Sequence, residues 1–161
     1  MPPVIRIFTI AAFMILTSSA AVHAISESKI QEYMAQSEEL RSCDKALNAE
    51  WKSLRQSTPK KEFKARLNEQ REWVKSVRQK HMNLLIKCGY ARNELQALIM
   101  AVKYRTDALV YQNYENTLSE EDIRRGNIKA DGFFRKEEDC EFMDFLDDPS
   151  EERCRKSLQA R

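Results

Sequence analysis

Four cysteines and one histidine are the side chains beyond residue 24 best suited to chemistry. Cys43, Cys88, Cys140 and Cys154 form an even set. Their wide spacing suits disulfides rather than zinc, which is held by close CxxC-type pairs or nearby histidines. His81 is the only histidine after His23. It falls on an apolar stripe at helical spacing, so it reads as a packed core histidine and not as a base. GxSxG, HExxH and glycine-rich phosphate loops are absent from the sequence. With only Gly89, Gly126 and Gly132, the chain has nothing to build a phosphate cradle from. Carboxylates are numerous, but long helices always place some of them in pairs. The expectation is a protein that is not an enzyme and that uses no metal and no cofactor.

Charge is unevenly distributed. Residues 60–87 carry Lys60, Lys61, Lys64, Arg66, Arg71, Lys75, Arg78, Lys80 and Lys87 against Glu62, Glu69 and Glu72. Residues 137–152 carry nine acidic residues and no basic one. Such runs are either solvated faces, packed near each other, or surfaces for an oppositely charged partner.

Residues 1–24 read as a secretory signal peptide. Arg6 supplies the positive n-region, residues 7–16 an apolar core, and Val22-His23-Ala24 a small-residue cleavage site. About 20 apolar residues are needed to span a bilayer, so this core is too short for a permanent anchor. The expected location is the periplasm or the medium, with no stable membrane anchor after cleavage. Disulfides are then permitted, and nucleic acid is a poor candidate partner.

The elements that position the cysteines are helical. Lys, Glu, Arg, Leu and Gln dominate, and no strand-type alternation occurs. Ile30, Tyr33, Met34, Leu40, Cys43, Leu47, Trp51 and Leu54 make one stripe over about 28–55. Thr58 and Pro59 stop that helix and cap a second over about 59–87, which Gly89 ends. A third starts near Ala91 and frays before Ser119. Ser119 to Asp122 looks like a capping box, followed by a turn at Gly126 and a loop over 127–132. Short helices over 134–146 and 149–158 follow, the second capped by Asp148. The fold class expected is all-α: an antiparallel three-helix bundle over 25–118 with a C-terminal helical hairpin in the acidic tail, 119–161.

Cys140 and Cys154 stand symmetrically about Asp147, so a hairpin turning there predicts a Cys140–Cys154 bond. Elimination leaves Cys43–Cys88, which straight helices resist. The two would lie about 22 Å apart along the bundle axis at about 1.5 Å per residue, whereas a disulfide needs Cα atoms within about 7 Å. A helix must then break or bend, or Cys43 and Cys88 pair differently or stay free.

Three segments carry a resemblance. Leu47-Asn48-x-x-Trp51-x-x-Leu54, Leu67-x-x-Gln70-x-x-Trp73-x-x-x-x-Arg78 and Arg105-Thr106-x-x-Leu109 resemble, in order, the LNxxYxxL, LxxxQxxWxxxR and RTxxL segments of the LprI-like lysozyme-inhibitor domain family. The resemblance covers about 40–112. Trp51 stands in place of the usual Tyr, Arg78 follows Trp73 by five positions and not four, and His81 stands near where many members have a cysteine. It implies a small exported bacterial helical domain that inhibits a lysozyme-type hydrolase. Lysozymes are often basic with an acidic cleft, so two contacts are candidates. One is the acidic segment with Asp139, Glu141 and Asp144, anchored by Phe142 and Phe145. The other is Arg78 entering the cleft. Alternatives are an immunity or adaptor protein against another toxin, and an envelope-stress chaperone.

Overall fold

Serine and asparagine caps set where the helices begin, and the computed structural model describes them over residues 25–118 and 136–160. Ser26 accepts from the Lys29 amide and opens α1, Glu27–Gln36. Ser37 accepts from the Leu40 amide and opens α2, Glu38–Ser57. The single helix expected over 28–55 is therefore two. Arg41 reinforces the break by donating from Nη1 to the carbonyls of Met34 and Ala35, at 2.7 and 3.2 Å, at the end of α1. A side-chain oxygen at an N-cap competes with helix continuation in this way.

The second helix starts one residue later than expected. Pro59 is itself the cap, and α3 runs Lys60–Glu72. Thr58 is buried and accepts from Asn116 instead of capping. The helix then widens into a π turn, Trp73–Val77, and continues as α4, Arg78–Lys87. Gly89, at φ 75°, reverses the chain as a C-terminal glycine does. Asn93 caps α5, Glu94–Thr117, through the Gln96 amide. After a 3-10 turn, Glu137–Asp139, come α6, Cys140–Asp147, and α7, Glu151–Gln159. Ser150, not Asp148, caps α7. The signal peptide at 1–24 and the capping box and loop expected within 119–135 lie outside the described residues. All regular structure among the described residues is helical.

The core forms where α5 meets α2 and α4. Leu40, Leu47 and Leu54, spaced by seven on α2, are at most 6% exposed. They share one buried cluster with Ala97, Leu98, Ala101, Val102 and Leu109 of α5 and with Met82 and Leu85 of α4. Burying each leucine contributes roughly 1.5–3 kcal/mol. Polar pairs report the directions. Tyr33–Glu94, Glu39–Lys103, Glu50–Asn113 and Thr58–Asn116 advance together, so α2 and α5 run parallel. Glu69 meets Arg105 and Gln112, whereas His81 meets Tyr104, so α3 and α4 run the other way along α5.

Helix α6 does not run along α5. Neighbouring residues Lys103 and Tyr104 hold its two ends, at Asp139 (3.2 Å) and Asp147 (2.9 Å), so α6 lies across α5. This placement overturns the expected pairing of the cysteines. Cys154 bonds Cys88, with S–S 2.03 Å and Cα atoms 4.7 Å apart, and Cys43 and Cys140 are thiols. With α6 pinned crosswise, α7 is carried to the Gly89 turn and not back along α6. The Cys140–Cys154 and Cys43–Cys88 bonds are both absent.

Candidate functional site

Helix α6 is amphipathic, and its two faces separate the residues expected to act together. Phe142, Met143, Phe145 and Leu146 are buried, while Glu141 and Asp144 are exposed. Phe142 and Phe145 are 4% and 1% exposed, so they are core residues and not anchors for a partner. Phe145 stacks on Tyr90, with centroids 4.6 Å apart. Asp139 is also withdrawn. It is 7% exposed and paired with Lys103, whose ammonium also reaches Glu39. Burial acts to lower the Lys103 pKa, but the hydrogen bond and charge of Asp139, followed by those of Glu39, outweigh it and raise it above 10.5.

Glu141 and Asp144 line an open groove of about 420 Å³ with Tyr90, Arg153, Lys156, Ser157 and Ala160. Each wall has a local cause. The Cys88–Cys154 bond ties α7 to the turn that carries Tyr90. Arg153 donates from Nη1 to the Asp144 carbonyl at 2.8 Å, joining α7 to α6. Lys156 pairs with Glu152, one turn back on α7. The groove thus brings the carboxylates of α6 and the cations of α7 together with the Tyr90 side chain. It can recognise polar or charged groups by hydrogen bonds and charge. Of its lining, Glu141 and Asp144 were legible in advance. Tyr90, Arg153, Lys156, Ser157 and Ala160 were not. The signal for them was the Cys88-Gly89-Tyr90 turn, once Cys88 is bonded to α7.

The motif residues build the scaffold. Leu47, Leu54, Trp73 and Leu109 are buried, and Leu67 is half-buried. Trp51 packs on Phe63 at 5.7 Å. Asn48 is exposed and donates to Asp44, and Thr106 bonds back to the Val102 carbonyl. Arg105 is 6% exposed. Its Nη1 donates to Glu69 at 2.7 Å and its Nε to Gln70 at 3.0 Å. Gln112 adds a third bond, to the same Glu69 oxygen. Burial acts to raise the Glu69 pKa, but these donors and the nearby Arg66 charge outweigh it and hold it below 4.5. Arg105 therefore binds its own chain. Arg78 lies half-buried over the Trp73 ring, 5.7 Å from its centroid. Burial, only partly offset by Glu27, lowers its pKa below the ordinary value.

His81 packs edge-on against Tyr104 at 5.1 Å. Burial, then the Arg105 charge, pushes its pKa down to about 4, so the ring is neutral at physiological pH. Tyr104 in turn donates to Asp147. The three side chains form a structural chain from α4 through α5 to α6, with no nucleophile aligned on the imidazole among the described residues. Among those residues, no group of three or more His, Cys, Asp or Glu converges as metal ligands would. No described helix is long and apolar enough to cross a membrane.

No family model, curated protein or solved structure matches this chain.

Proposed function

We propose that this chain is an exported, non-enzymatic binding protein of the LprI-like kind that inhibits a lysozyme-type peptidoglycan hydrolase by covering its cleft. The observation that carries the reading is the orientation of α6. Its aromatic side chains turn inward and its carboxylates outward, so the acidic run is a surface and not a buried segment. Glu137, Glu138, Asp148 and Glu151 extend that surface on both sides of Glu141 and Asp144. A negative face of this kind steers a basic hydrolase into contact. The contact is polar, because Phe142 and Phe145 are in the core, and it uses Glu141 and Asp144 in place of the stacked Arg78.

Two features support the family resemblance. The spacing from Trp73 to Arg78 is one residue longer than the family pattern, and a π turn spans that stretch. A π turn is what one extra residue in an α-helix produces, and it restores the phase beyond the insertion. The Arg105–Gln70–Glu69 cluster joins the second motif segment to the third, which gives those polar positions a structural purpose. The parallel α2 and α5 with the reversed α3–α4 between their ends favour an antiparallel three-helix bundle. The Cys88–Cys154 bond favours an oxidising compartment, consistent with export to the periplasm or medium.

Binding of the mature protein to immobilised lysozyme tests the contact. The expected result is retention that falls at high salt, and a slower on-rate for the Glu141→Gln/Asp144→Asn variant. Equal retention of wild type and variant at every salt concentration would contradict the acidic face as the contact.

A further inference from the structure

Cys43 and Cys140 are thiols, although Cys88 and Cys154 are joined. They belong to different elements, α2 and the first residue of α6, yet one cation binds a carboxylate beside each of them. Lys103 of α5 reaches Glu39 Oε1 and Asp139 Oδ1, each at 3.2 Å. Cys43 lies one helical turn beyond Glu39, on the same face of α2. Cys140 directly follows Asp139. Lys136 bears on both thiols. Its carbonyl accepts the Cys140 S–H at 3.3 Å, and its charge acts on Cys43 together with those of Lys103, Glu39 and Asp139. Both side chains are half-buried, and Cys43 packs against the main core.

We propose that Cys43 and Cys140 form a second disulfide, which clamps the start of α6 to α2. Once Cys88 and Cys154 are joined, this is also the one pairing left within a chain of four cysteines. The oxidant is a disulfide donor, either oxidised glutathione or the disulfide of a thiol oxidase. Cys140 loses its proton and attacks one sulfur of the donor. That bond breaks, releasing one donor thiolate and leaving a mixed disulfide on Cys140. The Cys43 thiolate then attacks Cys140 Sγ and displaces the second donor thiolate. Two thiols are oxidised, one donor disulfide is reduced to two thiols, and the two protons pass to the leaving thiolates. Burial pushes the Cys43 thiol above its ordinary value of 9.0, with smaller charge effects, so it holds little thiolate and its attack on the mixed disulfide is the slower step.

The consequence is mechanical. Cys88–Cys154 fixes α7, and Cys43–Cys140 would fix the start of α6. The acidic face and its groove would then be anchored covalently at both ends, which lowers the ordering cost of binding.

The test is peptide mapping of the folded chain after equilibration with oxidised glutathione, which does not depend on whether the protein is exported or inhibits anything. Trypsin separates the four cysteines into peptides 42–45, 88–92, 137–153 and 154–155. The expected result is 42–45 linked to 137–153, 88–92 linked to 154–155, and loss of both free thiols. In Cys140→Ser, Cys43 should remain alkylatable while the 88–92 to 154–155 link persists. Recovery of 42–45 in alkylated form from oxidised wild type, with native circular dichroism, would overturn the proposal. So would a Cys43 or Cys140 bond to Cys88, to Cys154 or between two chains.

Discussion

Removing either member of the Arg105–Glu69 pair should have unequal effects, because the two groups are unequally buried. The Arg105 side chain is 7% exposed and that of Glu69 is 41% exposed. Glu69→Ala leaves a guanidinium inside the protein with Gln70 as its remaining partner. Stranding a fully buried charge costs about 3–5 kcal/mol. Here the bond to Gln70 survives and Glu69 is partly solvated, which lowers the expected cost to about 2 kcal/mol. Arg105→Met removes the buried charge and fills its space with an apolar chain. Glu69 and Gln70 are then left where water reaches them, and the expected cost is about 1 kcal/mol or less. Urea unfolding at pH 7, followed by circular dichroism, measures both. The pH dependence gives an independent check. The Glu69 pKa is lower in the folded state than its ordinary 4.5. Its contribution is thus fully present above that value and is lost as pH falls through the folded pKa. Arg105→Met should flatten this acid limb. An Arg105→Met variant less stable than Glu69→Ala would refute the reasoning, because it would place the dominant cost in lost packing and not in the stranded charge.

Two further outcomes follow from the same contacts. The folded pKa of His81 is about 4 against an ordinary 6.5, so the unfolded chain binds more protons between these values. Stability should be complete above about pH 6.5 and fall by up to ~3 kcal/mol as pH drops toward 4, a slope that His81→Phe should remove; an unchanged slope in that variant would contradict a buried neutral imidazole. Cys154→Ser opens a disulfide spanning a sequence separation of 66 and should cost about 4 kcal/mol on the chain-entropy account; an unchanged unfolding midpoint would show that the bond adds nothing to stability.

Much of the fold is written in periodicity. Leu40, Leu47 and Leu54 mark the buried face of α2, and Gly89 marks the end of α4. What periodicity misses are features set by one side chain or by tertiary contact. The α1–α2 break lies inside an unbroken apolar stripe, because Ile30, Tyr33 and Leu40 keep helical spacing across it. Only the Ser37 hydroxyl and the Arg41 bridge reveal it. The π turn at Trp73–Val77 leaves no mark in the apolar spacing, because Leu67, Trp73, Val77 and Leu84 read as one continuous helical stripe. The disulfide expectation failed because symmetry about Asp147 presumed a free hairpin. The contacts that set α6 crosswise come from Lys103 and Tyr104, some forty residues away. For the same reason Phe142 and Phe145 read as surface anchors: an acidic run shows its charge in the sequence but not which side the helix buries.

Lysis of a peptidoglycan suspension by lysozyme, followed by turbidity with the mature protein added at increasing molar ratio, tests the central claim most directly. The account predicts slowed lysis that saturates near one inhibitor per enzyme at low salt and is relieved as salt rises. It predicts weaker inhibition by Glu141→Gln/Asp144→Asn with an unchanged fold. Undiminished lysis by every lysozyme type tested, with correctly folded and oxidised protein in excess, would contradict it.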